Sequence, residues 1–136
     1  MIGIHELVQV AHAFDYEGVN NSTSNGDAVD CRGYTDAMFI IGFGTIAGGA
    51  VGAIHVESSP DNSTWTDVPN ATATVADSDD HGHKNIRVRC DREDRYLRVV
   101  VAETGTATMN TYGKCLLMTG ESEPVTQLDT TTNAST

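Results

Sequence analysis

Positive charge is scarce in this chain. Lys and Arg together number 8 against 19 Asp and Glu, for a formal net charge of −11. Such a surface repels a phosphate backbone, so no nucleic-acid partner is expected. Long hydrophobic runs are missing too. A membrane-spanning helix needs about 20 consecutive apolar residues, and the most apolar stretch, AMFIIGFGTIAGGAVGAI over residues 37–54, is broken by five glycines. The first residues, MIGIHELVQV, lack a basic n-region and carry Glu6, so they do not read as a signal peptide. Cysteine is sparse and odd in number: Cys31, Cys90 and Cys115 form no C-x-x-C pair, which leaves no signature of a structural zinc site or a redox dithiol. Cys90 and Cys115 sit in alternating stretches and read as small buried hydrophobes, in keeping with synthesis in a reducing cytoplasm. There is no G-x-S-x-G elbow, and the carboxylates are too many for Glu57, Asp61, Asp67 or Asp94 to be singled out for acid–base work. No enzymatic activity, cofactor or bound metal is expected.

What the chain does have is a period of two. AIHVES sets Ile54 and Val56 against His55 and Glu57, NIRVRCD sets Ile86, Val88 and Cys90 against Arg87 and Arg89, and YLRVVVAE puts Leu97, Val99 and Val101 on one face. LVQVAHAF groups Val8, Val10 and Phe14 away from Gln9 and His12, while TATMNTYGKCLLM alternates less cleanly. These are strands with one buried face. Turn-like segments separate them: SSPDNST with Pro60, Asp61 and a left-handed-tolerant Asn62, IAGGAVG, and the longer polar loop EGVNNSTSNGD over residues 17–27. DREDR (91–95) and ETGT (103–106) read as hairpin loops. With 136 residues the chain holds one domain. The expected fold is an all-β antiparallel β-sandwich, jelly-roll-like or alternatively immunoglobulin-like, over residues 1–120. Residues 121–136, ESEPVTQLDTTTNAST, are too polar to fold alone and read as an extended C-terminal arm.

Four features are candidates for function. Trp65, the one tryptophan, follows the SSPDNST turn and shares a face with Asp67. It is expected on the sandwich rim, covering the open end of the core, with a sugar-stacking platform as the sharper alternative. The loop DSDDHGHK (77–84) gathers Asp77, Asp79, Asp80, His81 and His83, but position twelve of a calcium loop would be Val88 and no remote Cys/His pair completes a zinc site, so a solvated loop is expected. Lys84, Arg87, Arg89, Arg92, Arg95 and Arg98 concentrate the positive charge within one short segment and predict a basic ridge that docks on acidic groups of a partner. In the arm, Val125 and Leu128 are the apolar side chains on offer to a partner.

Three segments together resemble a known group. VDCRGYTDAMFIIGFGTIAGG, then GAIHVESSPDNSTWTDV, then RYLRVVVAETGTATMNTYGKCLLM are similar to small structural proteins of tailed bacteriophages. The matching positions are Asp30, Gly33, Tyr34 and Ala37; Glu57, Ser58, Asp61, Trp65, Thr66, Asp67 and Val68; and Arg95, Tyr96, Leu97, Arg98 and Val100. The resemblance spans roughly residues 27–120 and implies a head decoration, or cement, protein on the capsid exterior. Its implied partners are the phage major capsid protein and further copies of itself, a trimer being the first arrangement to test. Two rivals are a tail or head-fibre adhesin using Trp65, Asn62 and Asp67 on host glycan, and a metal-dependent enzyme using His81 and His83.

Overall fold

The computed structural model describes residues 8–119 and 131–134, with Arg92 and 131–134 described by their backbone alone. Val8–Val19 (β1), Asp36–Ile46 (β4), His83–Val88 (β7), Met109–Met118 (β9) and Thr131–Ala134 (β10) form one sheet in the order β1-β9-β4-β7-β10. Ser22–Asn25 (β2), Val51–Ser59 (β5), Thr66–Ala76 (β6) and Tyr96–Glu103 (β8) form the second in the order β2-β8-β5-β6, with Val29–Asp30 (β3) also paired to β8. Every described pairing is antiparallel except β7 with β10. The chain is an antiparallel β-sandwich, as its period-two patterning predicts.

The pairings are nested: β1 with β9, β2 with β8, β4 with β7, and β5 with β6 at the tip. Among these, only β5 and β6 are consecutive in the chain. Residues 91–95 and 103–106 are therefore not hairpin loops as expected but arches from one sheet to the other, the first opening with a single 3-10 turn at Cys90–Arg92. Turn composition reports that the chain reverses. It does not report which sheet the next strand joins.

The core lies between the sheets. Phe14, Phe39, Ile41, Ile54, Ile86, Leu97 and Met109 are its large members, and Val56, Val88, Val99 and Val101 fill between them. All three cysteines are buried and free. In β9 the alternation is complete, with Met109, Thr111, Gly113, Cys115 and Leu117 all inward. Two of those are not hydrophobic, which obscures the pattern in the sequence. Gly113 is required there: a Cβ would meet Ile41 Cδ1 at 2.7 Å and Phe14 Cβ at 3.1 Å.

Strand β1 departs from expectation. Val8 is only half-buried and Val10 is 61% exposed, while Ala13 and Phe14 are buried. Register shifts on both sides of Phe14 reset the phase of the strand, so the N-terminal valines face out and Phe14 faces in. The polar loop expected over residues 17–27 contains strand β2, a run of Ser, Thr and Asn on the edge of the second sheet. An edge strand needs no alternation when neither face is deeply covered. At the other end, Thr131–Ala134 of the expected arm runs parallel to β7 of its own chain, while Val125 and Leu128 lie outside the described residues.

Candidate functional site

Strands β7 and β8 belong to different sheets, and that divides the expected basic ridge. Arg87 and Arg89 lie on the outer face of the first sheet, Arg98 on the outer face of the second, and Arg95 just before it. Arg92 ends the 3-10 turn, and its side chain lies outside the described residues. Each described arginine of the ridge faces an internal carboxylate. Arg87 Nη2 is 3.3 Å from Asp36 Oδ1, and Arg89 Nε is 3.5 Å from the same oxygen. The second contact is close enough for ion pairing but not aligned as a hydrogen bond, and the Nε atoms of both arginines are buried without one. Asp36 is only 4% exposed although it sits on an outer face, because the two arginines pack over it. Arg89 also reaches Asp91 at 3.2 Å. Arg95 grips Asp30 with both arms of its fork, Nε to Oδ1 at 2.9 Å and Nη2 to Oδ2 at 2.7 Å. That grip, helped by the Arg32 N–H, pulls the Asp30 carboxyl down to about 2.

On the second sheet, Arg98 donates to Glu57 Oε1 at 2.7 Å. Burial works against the Glu57 charge, but the Arg98 and His55 hydrogen bonds outweigh it and hold the carboxyl below its ordinary range. The guanidinium lies 4.4 Å from the Trp65 ring centroid. Trp65 is therefore not a lid on the open end of the core, and it is absent from the core cluster and its packed rim. It is half-buried on the outer face of the sheet, on the same side as Asp67, as the period predicts.

The turn before it is rigid. Asp61 Oδ1 accepts the N–H groups of Thr64 and Ser63, both at 2.9 Å, and the Ser59 hydroxyl at 3.0 Å. These bonds, Thr64 first, hold the Asp61 carboxyl at about 2. Asn62 takes the left-handed conformation, φ 60°. The polar crowd in SSPDNST is what aims the tryptophan along the sheet.

The 77–84 loop is a bracket rather than merely a solvated loop. Asp80 Oδ1 accepts the Ile46 N–H at 2.6 Å, Asp77 Oδ2 accepts the Gly49 N–H at 3.0 Å, and Asp79 Oδ2 accepts the Ala76 N–H at 2.9 Å. His81, at φ 60°, donates its backbone N–H to Gly44 O. The acids are thus committed to the β4–β5 arch and their own backbone instead of converging on one point. A second bracket was not visible in the sequence. Glu103, fully buried, accepts the N–H groups of Asn21, Val51 and Gly105 at 2.9, 3.1 and 2.8 Å. The Asn21 and Val51 bonds lead in holding its carboxyl below the usual range. It ties three inter-strand connections to one side chain.

Among the described residues, convergent ligand-type atoms occur elsewhere at two outer-face clusters: His55, Glu57 and Asp67 on the second sheet, and His12, Asp15 and Asp27 beside β1. His12 and His55 both face outward, His55 as the alternation of its strand predicts. Their partners arrive from neighbouring strands and connections, which no linear spacing reports.

No protein-family model matches this chain, and no curated protein matches it by sequence. Solved structures do resemble it. The crystal structure of PBSX exported protein XepA superposes with a TM-score of 0.61 at 13% identity, over 96% of this chain and 43% of that one. The chain thus spans under half the length of that protein. A Bacillus endospore appendage protein, described as one of a family of disulfide-linked pili, gives a TM-score of 0.53 at 16% identity, over 85% of this chain and 90% of that one. At these identities the likeness is one of fold: a β-sandwich shared with an exported protein and with an appendage subunit.

Proposed function

We propose that this chain is a non-enzymatic structural protein of a phage virion, and within that class a capsid decoration protein that binds across major capsid protein subunits on the head exterior. The observation that carries the reading is the nested pairing of β1 with β9, β2 with β8, β4 with β7, and β5 with β6. Nested pairing of this kind across two sheets supports a jelly-roll reading of the sandwich, an architecture that recurs in viral capsid domains. The motif resemblance over residues 27–120 supports the phage assignment. The likeness to an appendage subunit supports use of this sandwich as a building block of surface assemblies.

Docking needs a surface that is not already consumed by internal pairing. The described arginines of the ridge are engaged with Asp36, Asp91, Asp30 and Glu57, and they point from two sheets, so one flat partner cannot meet all of them. The outer face of the first sheet offers Val10, Tyr16 and Tyr112, respectively 61%, 66% and 47% exposed, with the two tyrosines stacked at 6.5 Å. Exposed aromatic residues are among the side chains that protein interfaces favour. In this reading the capsid protein covers that face, with Arg87 and Arg89 at its margin, and copies associate around a symmetry axis, a trimer being the arrangement to test first. The adhesin rival has less support, since the one tryptophan gives a ring face to Arg98.

Quantitative mass spectrometry of separated heads and tails from the encoding phage tests the proposal. Enrichment in heads at a fixed ratio to the major capsid protein is expected. Absence from heads, or enrichment in tails, would overturn it.

A further inference from the structure

We propose that His55, Glu57 and Asp67 form a binding site for a divalent transition-metal ion of the zinc class on the outer face of the second sheet. The three side chains come from the β5–β6 hairpin. His55 and Glu57 are two residues apart on β5 and therefore share a face, and Asp67 of β6 is directly opposite Glu57. Between these pairings the register shifts: Val56 alone on β5 opposes the four residues 68–71 of β6, where Asn70 is left-handed at φ 65°. A bulge of this kind re-aims the side chains beside it.

The distances fit an ion. His55 Nε2 lies 3.4 Å from Glu57 Oε2 and 3.5 Å from Asp67 Oδ1, and all three ligand atoms lie within 4.8 Å of one another. In a tetrahedral zinc site with bonds of about 2.0–2.1 Å, neighbouring ligand atoms are about 3.3 Å apart. The separations found here are longer than a strong hydrogen bond and close to that edge. One nitrogen and two carboxylate oxygens suit zinc better than calcium or magnesium, which prefer all-oxygen shells. Three protein ligands leave the fourth position to water.

The surroundings act as an outer shell. Arg98 binds the other oxygen of Glu57, Oε1, at 2.7 Å, which orients the carboxylate and leaves Oε2 toward His55. Trp65 backs Arg98 in turn. Asp67 is well exposed, so an ion has a direct path from solvent.

The second cluster makes the contrast. His12 Nε2 is 2.7 Å from Asp15 and 3.2 Å from Asp27, but Lys114 Nζ sits 3.3 Å from His12 Nδ1. The ammonium donates to Nδ1, so the ring proton stays on Nε2 and is donated to the carboxylates. A metal on Nε2 would force the proton onto Nδ1, against the ammonium. His55 Nδ1 has no such hydrogen-bonded neighbour among the described residues. The His12 cluster is therefore a hydrogen-bonded ion network and serves as an internal control.

The test is titration of the full chain with zinc chloride, followed by calorimetry and by Trp65 emission, with calcium and magnesium chloride in parallel. One zinc per chain is expected, with a change in Trp65 emission that saturates at the same ratio and little response to calcium or magnesium. His55→Ala and Asp67→Asn should each weaken binding by about tenfold or more, while His12→Ala should bind as the parent does. Circular dichroism of each variant keeps misfolding apart from ligand loss. Should His55→Ala remain folded and bind zinc as tightly as the parent, or should His12→Ala be the variant that loses it, the site is not the one assigned.

Discussion

The Arg98 guanidinium engages both Trp65 and Glu57, lying 4.4 Å from the indole centroid and donating to the carboxylate at 2.7 Å. The three residues come from β8, the turn before β6, and β5, so they stitch the middle of the second sheet across its outer face. A cation over an indole contributes about 0.5–1 kcal/mol when exposed and about 2 when desolvated. Trp65→Ala should therefore destabilise the domain by about 1–2 kcal/mol, and Trp65→Phe by less, in urea unfolding followed by circular dichroism. Equal stability of Trp65→Ala and the parent would mean that the stack contributes nothing.

The core makes a stronger demand. Leu97 is completely buried and pairs with both Val29 and Ser58 across its strand. Leu97→Ala should cost about 2–5 kcal/mol, the usual range for a large-to-small change in a packed core. An unchanged melting temperature would contradict the register of β8.

Acid should loosen the connections at Glu103. Its carboxyl is held below the ordinary range by the Asn21 and Val51 N–H groups, so its folded-state pKa is lower than its unfolded one. The stability it contributes is complete above the unfolded value, about 4.3, and is lost as pH falls through the folded value. Asp30, at about 2 in the fold, acts with the same sign over the interval below about 4. In a melting series from neutral pH to about pH 3, Glu103→Gln should be less stable than the parent at neutral pH, and the gap should narrow on acidification. A gap that stays constant with pH would show that the charge is not what holds these connections.

Charge reversal at Arg87 and Arg89 should not be silent in the fold. Both pack over Asp36, which is nearly inaccessible. Replacing them with Glu would gather three carboxylates where two cations now face Asp36. Removing the partner of a buried charge costs about 3–5 kcal/mol, so the double reversal should lower stability on that scale. Adding Asp36→Asn to the reversed pair should recover part of the loss. If the double reversal melts with the parent, Arg87 and Arg89 are free surface groups after all.

Much of the fold was legible because burial in a sandwich is written with period two. Ile54, Val56, Ile86, Val88, Leu97, Val99 and Val101 all fall inside as their alternation predicts. The pattern fails where the backbone changes phase, as at the bulges around Phe14 that turn Val10 outward. It also fails where a small or polar residue is inward for packing reasons, as at Gly113 and Thr111. The site was less legible. A run of arginines along the sequence suggests one ridge, but consecutive strands β7 and β8 lie in opposite sheets, so proximity in the chain became separation in space. Conversely, Glu57 and Asp67 are ten residues apart in sequence and directly opposed in the sheet. The acids of the 77–84 loop read as merely solvated because composition cannot show that they accept the backbone N–H groups of Ile46, Gly49 and Ala76.

The most direct test of the decoration reading is reconstitution. Purified chain is added to heads of the encoding phage that lack it, and co-sedimentation is measured alongside the temperature at which the heads release DNA. The account predicts binding that saturates at a fixed ratio to major capsid protein subunits and raises the release temperature, with both effects weakened by Tyr16→Ser/Tyr112→Ser in a variant that still folds. Heads that neither retain the protein at saturation nor gain stability from it would contradict the account.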